Sequence, residues 1–342
     1  MRAGGDMRIS IAATLAALAL AATTAAAQTN TGTTIGQFML IEPDARASGM
    51  GNAGVSLYDG LRSVYYNPAA IGAVRTFEAV FSHNEWIAGI SHEWVGFALP
   101  LGDRGTAYAS LTALNSGEIA VRTVDQPLGT GERFRVTDFA LAVGYGRQVS
   151  QRFAAGGQVN YAQETIWHTS AQAITFNVGT LYRVSENGLR IGSSLSNFGT
   201  RASFDGRDLR FVYDNVPGEN GDNSTLPGER FTDPYSVPVL FRVGLGLPVR
   251  IDDANRVMLA ADAFHPNDNS ESVSVGAEYS LKELVAVRAG WQNLFLRDSE
   301  VGLTLGAGVR ARYEEVQYRV DFAWADQGRL GSSSRLTLAM GF

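Results

Sequence analysis

Apolar and polar residues alternate along most of the chain, most clearly at its C-terminal end. Between Arg335 and Phe342, Leu336, Leu338, Met340 and Phe342 share one face, while Arg335, Thr337, Ala339 and Gly341 share the other. A period of two belongs to an extended strand. The same rhythm sets Val316, Tyr318, Val320, Phe322 and Trp324 against Gln317, Arg319, Asp321 and Ala323. It also sets Val301, Leu303, Leu305, Ala307 and Val309 against Gly302, Thr304, Gly306, Gly308 and Arg310. The pattern predicts strands over 76–86, 89–101, 104–115, 134–148, 152–165, 171–184, 188–199, 236–250, 255–265, 271–281, 283–294, 300–312, 314–325 and 331–342. These segments are longer than globular strands of about 5–6 residues and reach the roughly 9–11 that a membrane-spanning strand needs.

One face is continuously apolar and the other is glycine, Ser/Thr and charge. A soluble sandwich would cover the apolar face with a second sheet; a membrane barrel turns it to lipid and lines its lumen with the small and polar face. With the termini assigned to the periplasm, every other connection is short, and the two longest, 116–133 and 200–235, fall together on the outer side. Trp86, Trp167, Trp291 and Trp324 also fall near outer strand ends, as an interfacial girdle requires. The predicted fold is therefore all-β, a fourteen-stranded antiparallel transmembrane barrel over 76–342.

The first 75 residues do not alternate. Arg2 and Arg8, the apolar run Ile11–Ala22 and Ala25-Ala26-Ala27 have the form of a cleavable signal peptide over 1–27, with Met1 or Met7 as the start. That run is too short to span a bilayer, which needs about 20 residues. Residues 28–75 are rich in small residues and broken by glycine. A barrel of this girth is not filled by its own side chains, so 35–75 is expected to fold into the lumen as a plug.

Composition narrows the function classes. The 342 residues include 28 Lys+Arg and 34 Asp+Glu, a net charge of −6, and Lys282 is the single lysine. Without a basic run, a nucleic-acid partner is not expected. No cysteine is present, which removes thiolate metal sites, disulfides and thiol nucleophiles.

The stretches ARASGMGNAGVSL (45–57) and SVYYNPAAIG (63–72), with DQPLGTGERFRVTDFALAVGYGRQVSQRFAAGGQVNY (125–161), resemble the PorV/PorQ family, a branch of the FadL-type outer-membrane barrels. The resemblance extends over nearly the whole chain after residue 27, and Asn67, Pro68 and Ala69 form its plug motif. It implies a fourteen-stranded barrel with an N-terminal plug. PorV-like members imply a carrier of exported proteins that bear C-terminal signal domains in type IX secretion. FadL-like members imply uptake of long-chain fatty acids or other hydrophobic molecules. The terminal Phe342 resembles the signal read by the barrel-assembly machinery.

Catalytic constellations are scarce. His83 and His92, near Glu85 and Glu93, match no metal-site spacing and read as solvated hairpin histidines. His168 lies near Ser170, but no serine sits in a nucleophile elbow. Neither an enzyme nor a cofactor is expected. Parity sends Arg183, Arg190, Arg242, Arg288, Arg310 and Arg319 inward with Asp138, Asp262, Glu278 and Asp321, because an arginine facing lipid costs about 2–4 kcal/mol. Mixed signs suggest that these charges pair with one another and with the plug, Arg310 and Arg319 among them. Phe204, Phe211, Tyr213, Phe231 and Tyr235, among acidic residues of the long loop, are candidates for docking a partner.

Overall fold

The alternating segments form fourteen antiparallel strands that close on themselves. The structure is a computed structural model that describes residues 32–184, 188–216, 218, 225–297 and 299–342. The expected signal peptide, the turn 185–187, and Glu219 and Asp222 of the long loop lie outside these residues. The barrel strands are β1 (Glu78–Glu85), β2 (Ser91–Pro100), β3 (Thr106–Asn115), β4 (Val136–Gln148), β5 (Phe153–Ile166), β6 (Thr169–Arg183) and β7 (Arg190–Gly199), followed by β8 (Leu240–Arg250), β9 (Asn255–Pro266), β10 (Ser272–Leu281), β11 (Val285–Leu294), β12 (Leu303–Tyr313), β13 (Val316–Asp326) and β14 (Ser332–Gly341). Each pairs with its neighbour in sequence, and β14 returns to β1, with Gly341 opposite Glu78 and Ser334 opposite Glu85. Closure leaves no unpaired edge, the only way a sheet satisfies its backbone away from water.

The two faces sort by parity. Along β4, Asp138, Ala140 and Ala142 are buried, while Phe139, Leu141, Val143 and Tyr145 are exposed. Along β6, Thr175 and Asn177 are buried, and Ile174, Phe176 and Val178 are exposed. Among the described residues no second sheet covers the apolar face: the fourteen strands form one layer. No helix among the described residues is long and apolar enough to cross a membrane, so any crossing is made by strands.

The connections also sort by end. One end has short turns, among them 149–152, 251–254 and 314–315. Lys282 and Glu283 belong to another, 282–284, with left-handed φ values of 51° and 56°. The other end has the long loops 116–135 and 200–239, each with a small two-stranded ribbon: Ile119–Ala120 with Arg133–Phe134, and Arg210–Tyr213 with Leu226–Glu229.

The core lies within the barrel. Ala45, Met50, Ala53, Val55, Leu61, Ala69, Ala70 and Ile71 have no exposure, and Leu57, Val64 and Tyr66 almost none. This inner segment bonds to strands around the whole circumference. The Ala45 amide donates to Thr337 on β14 at 2.9 Å, Gly51 to Thr304 on β12 at 2.9 Å, and Val55 to Asp262 on β9 at 2.8 Å; Ser194 on β7 donates to the Tyr66 carbonyl at 2.7 Å. The segment runs the length of the lumen. Thr34 bridges Ser236 at the long-loop end, whereas Tyr58 and Asp59 meet Gln148 and Arg319 at the short-turn end. Phe342 is at the short-turn end and residues 34–37 at the opposite one.

Candidate functional site in the lumen

Three regions follow one another along the lumen. At the long-loop end, a pocket of about 400 Å³ opens between residues 37–41 and the wall. Phe38, Leu40, Ile41, Trp86, Ile90 and Leu114 line it, together with two carboxylates, Asp138 and Glu164. A short 3₁₀ turn, Gln37–Leu40, places Phe38 and Met39 inward. Asp268, in the connection between β9 and β10, fixes its start by accepting from the Thr34 hydroxyl at 2.7 Å and from the Gln37 amide at 2.5 Å. Apart from the carboxylates and Gln37 the lining is hydrophobic, as in small-molecule pockets of this size generally.

Below the pocket lies a buried ion network that joins the inner segment to the wall. Arg62 pairs with Asp44 at 2.6 Å and with Asp321 on β13 at 2.7 Å. Arg288 bridges Asp321 at 2.6 Å and Glu278 at 2.5 Å. Arg46 links Glu278 at 2.6 Å to Asp59 at 2.9 Å, and Asp59 accepts from Arg319 at 2.6 Å. Four guanidiniums thus neutralise four carboxylates. Burial alone would raise the Asp59 carboxyl, but Arg319, then Arg46 and Arg62, outweigh it and hold it well below the usual carboxylate range. Asp44 also caps the short helix Ala45–Ser48 by accepting from the Ala47 amide at 3.0 Å.

Asn67 anchors the segment to the opposite wall. Its side-chain oxygen accepts from the Ala69 amide at 3.0 Å and starts the 3₁₀ turn Pro68–Ala73, with Pro68 in the first position, where no donor is needed. Its amide donates to the Val55 and Thr180 carbonyls, both at 2.9 Å. The wall approaches this closely because its inward positions are often glycine. A Cβ at Gly276 would lie 2.6 Å from the Met50 carbonyl carbon.

The third region is a cavity of about 920 Å³ at the short-turn end, between Leu57–Asp59 and the wall from β7 to β13. Glu278, Arg288, Arg310, Arg319 and Asp321 all line it.

The structure gives each residue singled out in the sequence a definite place. Glu278, Asp321, Arg288 and Arg319 meet in the network. Arg242 is buried, donates to the Ser196 hydroxyl at 3.2 Å and stacks on Tyr65, 5.3 Å from its ring centre. Asp262 accepts from Val55. Arg310 reaches Glu283 in the adjoining turn at 3.4 Å rather than the inner segment, and Arg183 lies exposed at the end of β6. Phe211 and Tyr213 are exposed neighbours, with ring centres 6.0 Å apart. Phe231 and Tyr235 are exposed as well, but Phe204 packs on the cluster around Ile35 and Phe38. Phe342 donates its amide to the Phe77 carbonyl at 3.0 Å. His83 is exposed and bonds Glu93 at 2.6 Å, whereas His92 is buried and neither ring nitrogen has a partner among the described residues. Sequence reasoning missed Arg46, Asp59 and Arg62. The signal available was four charges, Asp44, Arg46, Asp59 and Arg62, in 44–62, a stretch otherwise of small and apolar or uncharged residues. Among the described residues, no group of three or more His, Asp or Glu is arranged to hold a metal.

No protein-family model and no curated protein matches this chain. Solved structures share the fold. The Pseudomonas putida toluene transporter TodX is 13% identical, covers 87% of this chain and 96% of its own, with a TM-score of 0.54. The Ralstonia pickettii toluene transporter TbuX is 11% identical over 88% and 98% of the two chains, with a TM-score of 0.53. The CymD monoaromatic hydrocarbon channel is 12% identical over 88% and 97%, with a TM-score of 0.52. The likeness is one of fold.

Proposed function

We propose that this protein is an outer-membrane channel for hydrophobic small molecules, with its long loops outside the cell and its short turns in the periplasm. The observation that carries this reading is the apolar pocket at the long-loop end, on a fold shared with hydrocarbon channels. A lipid-facing surface fits the uncovered apolar belt, and residues 35–75 act as a plug. The ion network below the pocket blocks a straight path, so passage requires the plug to shift against the wall. Uptake of labelled toluene tests this. Cells carrying the barrel take it up several-fold faster than cells lacking it, and Phe38→Asp removes most of the gain. Equal uptake with and without the barrel overturns the reading.

The exposed aromatics Phe211, Tyr213, Phe231 and Tyr235 favour a second reading: a PorV-type carrier that docks exported proteins or secretion components at the outer mouth. Co-purification of proteins bearing C-terminal signal domains tests it, and unaffected secretion in a deletion strain dismisses it. Under either reading, assembly proceeds through the C-terminal strand and Phe342.

A further inference from the structure

The cavity at the short-turn end has more positive charge than its carboxylates neutralise. Seven arginines and four carboxylates line it. Each of those carboxylates is already shared between two guanidiniums. Asp59 serves Arg46 and Arg319, Glu278 serves Arg46 and Arg288, and Asp321 serves Arg62 and Arg288. Glu283 holds Arg256 and only a 3.4 Å contact from Arg310.

Arg190 is left over. Among the described residues it has no carboxylate partner. Its guanidinium lies 5.8 Å from the centre of the Tyr58 ring, and its Nε is buried with no acceptor. A buried donor without an acceptor costs about 1–3 kcal/mol, more when charged. Strand pairing adds to the imbalance: Arg190 stands directly opposite Arg183, and Arg310 directly opposite Arg319. Like charges facing each other across a strand pair destabilise the sheet. Two such pairs at one end of the lumen mark a position where an anion from outside the chain relieves the repulsion.

We propose that this cavity is a binding site for an oxyanion-bearing small molecule, a phosphate ester or a carboxylate, held at Arg190. The guanidinium fork matches the paired oxygens of either group. Leu57 and Tyr58 in the lining give the organic part of such a molecule a surface to rest on. The site is about as far from the apolar pocket as the lumen allows, and the ion network lies between them. It does not depend on hydrocarbon passage: a barrel that carries no toluene still binds the anion.

The test uses the full barrel in a nonionic detergent, titrated calorimetrically with inorganic phosphate and separately with succinate, with chloride at equal ionic strength as reference. Saturable binding is expected, weakened about tenfold or more in Arg190→Gln by loss of a charge-assisted contact. Arg207→Gln, exposed at the long-loop end, leaves binding unchanged. Heat-modifiable gel mobility reports folding, and Arg190→Met, which also removes the charge but keeps much of the volume, stands in if Arg190→Gln does not fold. Phosphate binding alone assigns a phosphate ester, succinate binding alone a carboxylate, and both a general oxyanion site. Absence of saturable binding of either up to about 10 mM, or binding in the Arg190 variant equal to that of the parent protein, overturns the proposal.

Discussion

Asn67 meets the barrel wall at Gly179: its side-chain oxygen occupies the place a Cβ at Gly179 would need, while its amide donates to the neighbouring Thr180 carbonyl at 2.9 Å. Gly179→Ala therefore forces Asn67 away from the wall and disturbs the cap it provides for Pro68–Ala73. Overpacking of this kind costs about 1–3 kcal/mol. Gly157→Ala is the control, since a Cβ there meets only the Asn177 carbonyl at 3.6 Å. In urea unfolding, Gly179→Ala shifts the midpoint downward and Gly157→Ala leaves it near the parent value.

Arg62 is nearly fully buried between Asp44 and Asp321. Arg62→Met keeps much of its volume and removes its charge, so two buried carboxylates lose a partner. Breaking such a pair from one side costs about 3–5 kcal/mol. Limited proteolysis provides the measurement: residues 44–62 become cleavable in the variant while the strands stay protected. An unchanged cleavage pattern shows that the network does not hold the inner segment in place.

The charge on Asp59 gives this attachment a pH dependence of known sign. Its carboxyl is held below the usual range mainly by Arg319, against the opposing effect of burial. A depressed folded value means that the stabilisation is complete above the unfolded value, near pH 4, and is lost as the pH falls through the folded one. The inner segment is expected to stay protease-resistant from pH 7 to about pH 5 and to loosen only in stronger acid. In Asp59→Asn that acid step is reduced.

The wall was legible in the sequence because a strand needs only its parity. Val301 to Arg310 and Leu336 to Phe342 show both faces directly, and no strand end differs from its predicted limit by more than four residues. His92 shows how far parity reaches when it is applied fully: it shares a face with Trp94 and Gly96, yet its place near the hairpin suggested solvent, and it is buried. The inner segment was not legible in this way. Residues 35–75 have no period, so the partners of Arg46, Asp59 and Arg62 depend on how the segment threads the lumen. Arg310 shows the limit of parity for the wall as well. Its direction was fixed by its strand, but its partner Glu283 comes from a turn.

Asp138 and Glu164 face each other across β4 and β5 and line the apolar pocket together. Glu164 accepts from the Gly36 amide at 2.8 Å and Asp138 from the Thr165 amide at 3.3 Å, and among the described residues neither has an arginine or lysine in ion-pair reach. The pocket thus joins hydrophobic walls to an uncompensated acidic pair. A bound carboxylate about 8 Å away, at an effective dielectric of about 20, is disfavoured by about 2 kcal/mol, roughly thirtyfold. Toluene is expected to bind and benzoate to bind far more weakly at pH 7, with quenching of Trp86 fluorescence as the readout. Asp138→Asn with Glu164→Gln brings benzoate close to toluene and leaves toluene unchanged. If benzoate already binds the unaltered protein as well as toluene does, the acidic pair does not act on the pocket's contents.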